Sequence, residues 1–486
     1  SDEDVKQKLE NEFNRYRAVC EKALSFGAVV IVNNFEMPFY RMFGSKDAVV
    51  PQGVVNFVTK LNIKIRDYIA GKQNLYLNDI NYLSGLIGLD NWFSLENWYL
   101  YKYACAVDKI PDLAFSIAKI IKSTLGKNKK SVILDLDNTL WGGIIGDDGV
   151  EGIAIGNEQP AGMSYTEFQS YLKNLRSLGI VLNVSSKNEE DIAKQGFTKR
   201  TEAPLNYEDF LYFKANWNPK SVNISSIIKD MNIGEDAFVF IDDNPAEREI
   251  VKQQLPKIRV PDVKSPEEYI KAIDRAGYFE ITTFTDDDKK RNEQYKTRAK
   301  ARAAMAEFTD YTSYLKSLEM TGEIGSFSMA HIERITQLIN KSNQFNFTTR
   351  RYTTSEVEEV INNKDKYISC YAKLIDKFGD NGITTCMIAS VNGDVANIDL
   401  WVMSCRVLKR DLELRVFDYL VEQCKKRGIK TIEAAYLPTA KNALVKNQYE
   451  EIGLKCVLDS PEKKLYTFDV TRNYENKNKV IDMKEV

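Results

Sequence analysis

Short apolar runs separated by amphipathic stretches dominate the middle of this chain. Ser131-Val132-Ile133-Leu134, Ile180-Val181-Leu182-Asn183-Val184 and Ala237-Phe238-Val239-Phe240-Ile241 are continuous enough to predict strands buried on both faces. Between them, Ser164 and Glu167 have capping-box spacing and predict a helix with Phe168, Tyr171, Leu172 and Leu175 on one face. A second helix is predicted from Ser221 to Met231. Strand and helix in alternation imply a parallel sheet covered by helices. Upstream, Ala28–Val32 predicts a short strand, and Pro111 opens a helix with Leu113, Ile117 and Ile120 on its apolar positions. Downstream, strands are predicted around Tyr371–Ile375 and Ile383–Val391.

Charged joints divide the chain into an N-terminal α/β region over 1–126, a central region over 127–280 and a third over 295–470. The stretch Asp286–Arg291 reads as an exposed linker or helix start, and 471–486 as a polar, frayed tail. The expected class is therefore α/β and multidomain, which suits 486 residues. Lys plus Arg (67) nearly balance Asp plus Glu (69), which argues against a nucleic-acid partner, since that needs a basic face. No apolar run approaches a membrane span, and Ser1-Asp2-Glu3-Asp4 lacks the basic and apolar parts of a signal peptide, so a cytoplasmic location is expected. Seven scattered cysteines without a CxxC fit reduced, buried thiols. The single histidine, His331, excludes His-rich metal sites and leaves proton transfer to carboxylates, Lys or Tyr. His331 is expected to pack on an amphipathic helix, and Trp92 and Trp98 to serve core or interface.

Polar residues gather where the central strands end. The first strand runs into Asp135-Leu136-Asp137-Asn138-Thr139, the second into Ser185-Ser186-Lys187-Asn188, and the fourth into Asp242-Asp243-Asn244; Lys220 follows Asn218-Pro219 at a helix start. Ligands of such sheets sit beyond the carboxyl ends of the strands, at a switch in strand order. Carboxylates from two strand ends with a spare carbonyl suit Mg²⁺, a hard ion that prefers oxygen. A hydroxyl and an ammonium suit phosphate oxygens. Asp135 is placed to attack phosphorus and form an aspartyl-phosphate, and Asp137, pointing to the same side, to protonate the leaving oxygen and later deprotonate water.

The stretch Asp135-Leu136-Asp137-Asn138-Thr139-Leu140 resembles motif one of the haloacid dehalogenase (HAD) superfamily. Ser186 resembles its motif-two hydroxyl, Lys220 its motif-three lysine, and Asp242-Asp243 its motif-four acids. The segments LDLDNTLWGGIIGDDG, SSKNEED, NWNPKSVNI and FIDDNPAERE resemble the FkbH-like, capless branch, as do NKSNQFNFTTRRYT and KFGDNGI further on. The N-terminal region resembles the degenerate SGNH-hydrolase-like half found ahead of such domains. The resemblance implies a HAD-type Rossmannoid sheet with Asp135 as nucleophile and metal ligand. It makes Asp137 the acid/base, with its carbonyl also on the metal. Asp243 becomes a metal ligand supported by Asp242, Ser186 and Lys220 hold the phosphoryl group, and Thr139 and Asn138 steady the loop. Trp141-Gly142-Gly143 would begin a short flap. The intervals from Asp137 to Ser186 and from Ser186 to Lys220 are used up by the sheet's own helices, so no large cap domain fits and the site is open or closed by a neighbouring domain.

The third region resembles the GNAT acyltransferase fold through its strands and through Tyr449–Leu454. The turn that would grip coenzyme A, Cys405–Glu413, has no glycine and carries Asp411, so coenzyme A is expected to bind weakly or not at all. Either an acyltransferase or a degenerate domain that packs on or caps the phosphatase site fits. Three functions compete. One is a Mg²⁺-dependent phosphohydrolase of a small phosphorylated metabolite. The second, implied by the resemblance, is a glyceryl transferase that loads an acyl carrier protein thiol from a glycolytic acyl phosphate. The third is a scaffold with a relic site. Ser185 stands where many members of the family carry a cysteine, and no cysteine lies between Cys105 and Cys370, which favours release of phosphate to water.

Overall fold

The computed structural model describes residues 1–305, 310–404 and 407–486. It divides into two compact units: residues 1–125 with the short segments 280–282 and 352–358, and the remainder from 126 onward. In the first unit, strands β1 (Val30–Asn33) and β2 (Leu75–Asn78) pair in parallel. Helices Asp2–Leu24 and Val54–Ala70 close a core of Leu9, Cys20, Leu61 and Ile65 around them. The helix that Pro111 was expected to open runs Ile110–Thr124, with the proline in its first turn. Trp92 is buried, whereas Trp98 is 40% exposed.

The second unit holds two sheets. The first comprises β3 (Ser131–Leu134), β4 (Val181–Ser186), β5 (Phe210–Ala215) and β6 (Phe238–Ile241), all parallel, in the order β5-β4-β3-β6. β3 and β6 are buried at every position because both faces are covered, which is why their sequences are unbroken apolar runs. Val132 and Leu134 pack with Phe168, Leu172 and Leu175 on one face; Ile133 and Phe240 pack with Ile224 and Ile227 on the other. From β3 the chain winds outward through β4 to β5 and then returns to the far side of β3 for β6. The strand order therefore switches between β3 and β6.

Several local expectations are corrected. The Ser164 helix runs Pro160–Ser177, so Ser164 lies inside it and its Oγ donates to the Ala161 carbonyl at 2.9 Å. Pro160 supplies the start instead, because its fixed φ suits a first helical turn. Of the two readings of Asp286–Arg291, the helix start holds and the exposed linker does not: helices Asp286–Lys289 and Arg291–Met305 begin here. Asp288 is 3% exposed, accepts from Gln337 Nε2 at 2.6 Å and pairs with Arg291 and Lys341.

The second sheet follows: β7 (Thr321–Gly325), β8 (Phe345–Asn346), β9 (Tyr367–Asp376), β10 (Gly379–Asn392), β11 (Val395–Met403), β12 (Thr431–Tyr436), β13 (Lys455–Asp459), β14 (Lys464–Asp469) and β15 (Asp482–Glu485). Its order is β13-β14-β12-β11-β10-β9-β7-β15, with β8 beside β11. It is antiparallel except at β11/β12 and β7/β15, and helix Leu412–Lys426 packs into its core with Phe347, Trp401 and Tyr449. The mixed α/β class expected from the sequence is the class observed. The tail is not frayed: β15 pairs with β7, and buried Asp418 accepts from the Tyr474 hydroxyl and the Lys477 and Asn478 amides. Those polar residues satisfy a buried carboxylate, which the composition of the tail does not reveal. His331 caps helix Ile332–Lys341 and meets Tyr371 edge to face. No helix among the described residues is long and apolar enough to cross a membrane.

Candidate active site

The carboxyl ends of β3 and β6 adjoin because the two strands pair residue for residue, Leu134 opposite Ile241. The next residues are Asp135 and Asp242-Asp243, and one carboxylate oxygen from each lies within 4.8 Å of the others. Lys220, at the start of helix Lys220–Met231, reaches this cluster from the side. Its Nζ is 3.0 Å from Asp135 Oδ1 and 2.5 Å from Asp242 Oδ2. All three groups are buried. Burial pushes the Asp135 carboxyl up to about 6, opposed by the Lys220 ammonium and reinforced by Asp242. Burial also raises Asp242 and Asp243. It would lower Lys220, but the two carboxylates outweigh it and hold the ammonium above its ordinary value.

β4 delivers Ser186, which is 1% exposed and whose hydroxyl helps to lower the Asp135 carboxyl against burial. Its neighbour points to the opposite face, as alternation along a strand requires. Ser185 is fully buried, with Oγ donating to the Lys220 carbonyl at 3.4 Å. Lys187 is tied to Glu247 at 2.5 Å.

Asp137 was expected to point to the same side as Asp135, yet its carboxylate is not part of the acidic cluster. Oδ1 accepts from Trp141 Nε1 (2.9 Å) and the Ile145 amide (3.1 Å), and Oδ2 accepts from Asn188 Nδ2 (2.7 Å). The flap expected from Trp141-Gly142-Gly143 is present as a small insertion. Gly142 and Ala154 exchange both backbone hydrogen bonds around the kinked helix Ile145–Gly152. A Cβ at Gly142 would come within 2.9 Å of the Tyr165 ring. Arg200 fixes the base of the insertion by donating to the carbonyls of Val150, Ile153 and Ile155.

Thr139 Oγ1 accepts from the Asp243 amide at 3.2 Å and so ties the first loop to the fourth. Asn138 takes a left-handed φ of 56°, accepts from the Gly143 amide through Oδ1 and receives the Tyr269 hydroxyl on its carbonyl. Three contributors were missed by the sequence reading. Asn188 orients Asp137, Arg200 anchors the flap, and Arg248 donates to the carbonyls of Asp242 (2.9 Å) and Asp243 (2.6 Å). Asn188 and Arg248 fall inside the segments SSKNEED and FIDDNPAERE, which carry the resemblance but assign these two residues no role; Arg200 sits on an ordinary polar stretch.

The donor set at the cluster is oxygen only, with no sulfur or imidazole, which suits a hard divalent cation. Both Asp242 oxygens are engaged, Oδ2 by Lys220 and Oδ1 by the Asn244 amide, whereas Lys220 takes only Oδ1 of Asp135, so Asp135 and half-buried Asp243 are the carboxylates with capacity left for an ion. Among the described residues, the third region meets the first sheet at places other than the acidic cluster: Lys441 pairs with Asp236 at 2.5 Å just ahead of β6, Tyr295 packs in the core around Ile133 and Phe240, and Arg298 donates to the Met231 carbonyl.

The chain resembles a Bacteroides fragilis structure, the N-terminal part of the protein BF1531, which contains a phosphatase domain complexed with Mg. The two are 32% identical, the match covers 58% of this chain and 75% of the other, and the TM-score is 0.55. The chain belongs to the same family as this phosphatase-domain protein. Fainter likenesses, at a TM-score of 0.25 and 14% identity, are to the ribosomal-protein-S18-alanine N-acetyltransferase of Escherichia coli (32% of this chain, 99% of that) and Ard1 of Thermoplasma volcanium (31% and 99%). No protein-family model and no curated protein matches the sequence.

Proposed function

We propose that the chain is a HAD-type, Mg²⁺-dependent phosphohydrolase of a small phosphorylated metabolite, on the FkbH-like branch. The observation that carries the reading is the buried cluster of Asp135, Asp242 and Asp243 with Lys220 in its side. Asp135 and Asp243 would hold Mg²⁺, with the Asp137 carbonyl, and a bound ion offsets the repulsion between carboxylates and an anionic phosphoryl group. The Bacteroides relative, whose phosphatase domain is complexed with Mg, supports the same choice of ion.

An Asp135 oxygen forms a bond to phosphorus as the ester bond to the leaving oxygen breaks, and Ser186 and Lys220 orient the transferring group. Asp137 gives the leaving oxygen its proton. Each carboxylate oxygen offers two acceptor positions, and Asp137 Oδ1 has both filled by Trp141 and Ile145, so the proton travels on Oδ2. The same oxygen then takes a proton from the water that attacks the aspartyl-phosphate, releasing inorganic phosphate and restoring Asp135.

Transfer to an acyl carrier protein needs an activated nucleophile. Ser185 is sealed beneath the start of the Lys220 helix, Lys187 is paired with Glu247, and burial raises Cys370, Cys386 and Cys424. Cys405 lies outside the described residues. Water is therefore the acceptor in this reading. A screen of phosphorylated metabolites with and without Mg²⁺ tests it. At least one should release inorganic phosphate in a chelator-sensitive way. Phosphate release undiminished by chelator, or none from any substrate, counts against it.

A further inference from the structure

A cavity of about 430 Å³ lies at the amino ends of β3 and β6, the end of the parallel sheet opposite Asp135. Its floor is formed by residues 126–130 and 233–237, and its other walls by helices Arg291–Met305 and Ile332–Lys341 and by the end of β11. None of the acidic-cluster residues borders it. Its charge is lopsided. Arg291, Arg334 and Lys341 line the inner wall; Lys127, Lys130, Lys257 and Lys441 line the rest.

Against these seven cations stand Glu235 and Asp236 on the lining and, behind it, Asp287 paired with Arg334 and Asp288 paired with Arg291 and Lys341. The balance leaves three positive charges around one hollow. Burial and the neighbouring Arg291 push the Lys341 ammonium down to about 8, as expected where cations lack enough counter-charge. Arg291 and Arg334 are held by those carboxylates and by the carbonyls of Gly179 and Ile383, so they supply field; Lys341, 3.4 Å from Asp288, supplies a positioned donor, and Lys127 and Lys257 supply mobile ones. One feature goes beyond charge: Ile233, Leu338 and Met403 give the cavity an apolar side.

We propose that this cavity binds a small organic phosphate monoester, its dianion seated against Lys341, Lys127 and Lys257 and its carbon skeleton against Ile233, Leu338 and Met403. A dianion offsets most of the three surplus charges, and the volume exceeds what inorganic phosphate alone would fill. The site lies at the far end of the sheet from the acidic cluster, and the proposal does not depend on what that cluster does.

The test is isothermal titration of the full chain with ribose 5-phosphate and with inorganic phosphate. Chelator is present, so the acidic cluster keeps its own negative charge and repels anions. Wild-type protein should bind one ribose 5-phosphate, more tightly than inorganic phosphate. Lys341→Gln and Lys257→Glu should each weaken binding by ~10-fold or more, the scale of one charge-assisted hydrogen bond. Lys257 is exposed, so its variant decides the matter even if Lys341→Gln folds poorly. Absence of binding at millimolar ligand, equal affinity for the two probes, or an affinity unchanged in Lys257→Glu would overturn the proposal.

Discussion

Lys220→Met removes the cation that bridges the Asp135 and Asp242 carboxylates while keeping most of the side chain's volume. In the wild type, Nζ stands 3.0 Å from one carboxylate and 2.5 Å from the other, with all three groups buried. Breaking a buried ion pair from one side costs about 3–5 kcal/mol, because the remaining charge is left uncompensated. For a unit of this size that corresponds to a melting shift of roughly 5–10 °C. The loss depends on pH, with a definite sign. Asp135 in the fold sits at about 6, above its ordinary value of 3.8, so the folded state binds the proton more tightly than the unfolded chain. Such a group costs nothing at low pH and penalises folding increasingly as pH rises through its folded value. Lys220 is what holds Asp135 down against burial, so the variant's Asp135 moves higher still. In chelator, thermal melts of wild type and Lys220→Met should therefore differ little at pH 5 and by the full amount at pH 8. Equal melting shifts at the two pH values, or no shift at pH 8, would refute this account of the cluster.

Trp141→Phe keeps the aromatic packing on Phe197 but deletes the donor to Asp137 Oδ1, so kcat should fall ~10- to 100-fold with little change in KM, measured by steady-state phosphate release. Asp288→Asn should destabilise the fold by about 3 kcal/mol at pH 7. Arg291 and Lys341 hold Asp288 well below the usual carboxylate range, a contribution present above its unfolded value and lost as pH falls through its folded one, so the difference in melting temperature should shrink toward strong acid. Titration with acetyl-coenzyme A should show no micromolar binding. Asp411 caps helix Leu412–Lys426 in a left-handed conformation, and Glu413, which burial raises to about 7, follows in its first turn, where a phosphate would need bare amides. Micromolar affinity would show that the remainder of that turn compensates.

The first sheet was legible because both its faces are covered, so β3 and β6 are unbroken apolar runs that no helix period fits. The convergence of Asp135, Ser186, Lys220, Asp242 and Asp243 followed from one rule about where parallel strands end. What escaped depends on distance in space. The Asn188 and Arg248 side chains are ordinary polar residues until the fold sets them beside the Asp137 carboxylate and the Asp242 and Asp243 carbonyls. Ser164 carried the right capping spacing, but Pro160 begins the helix a turn earlier. The tail looked frayed because Asp482–Glu485 is polar, and only the open edge of β7 makes it a strand. Composition likewise said nothing about where the third region would meet the first sheet, since that is decided by pairs such as Lys441 with Asp236, 205 residues apart.

The central claim, that Asp135 is the nucleophile of a phosphohydrolase, is tested most directly by intact-protein mass spectrometry during turnover with Mg²⁺ and a substrate found by the metabolite screen. Given a phosphate ester whose leaving group departs without a proton, such as p-nitrophenyl phosphate, Asp137→Asn lacks only the group that deprotonates the hydrolytic water and should accumulate one added phosphoryl group, mapped to Asp135. Asp135→Asn should show no added mass and less than about a tenth of wild-type kcat, a loss of at least ~1.4 kcal/mol in transition-state stabilisation. Phosphate release that persists in Asp135→Asn, or a phosphoryl group mapped to another residue, would contradict it.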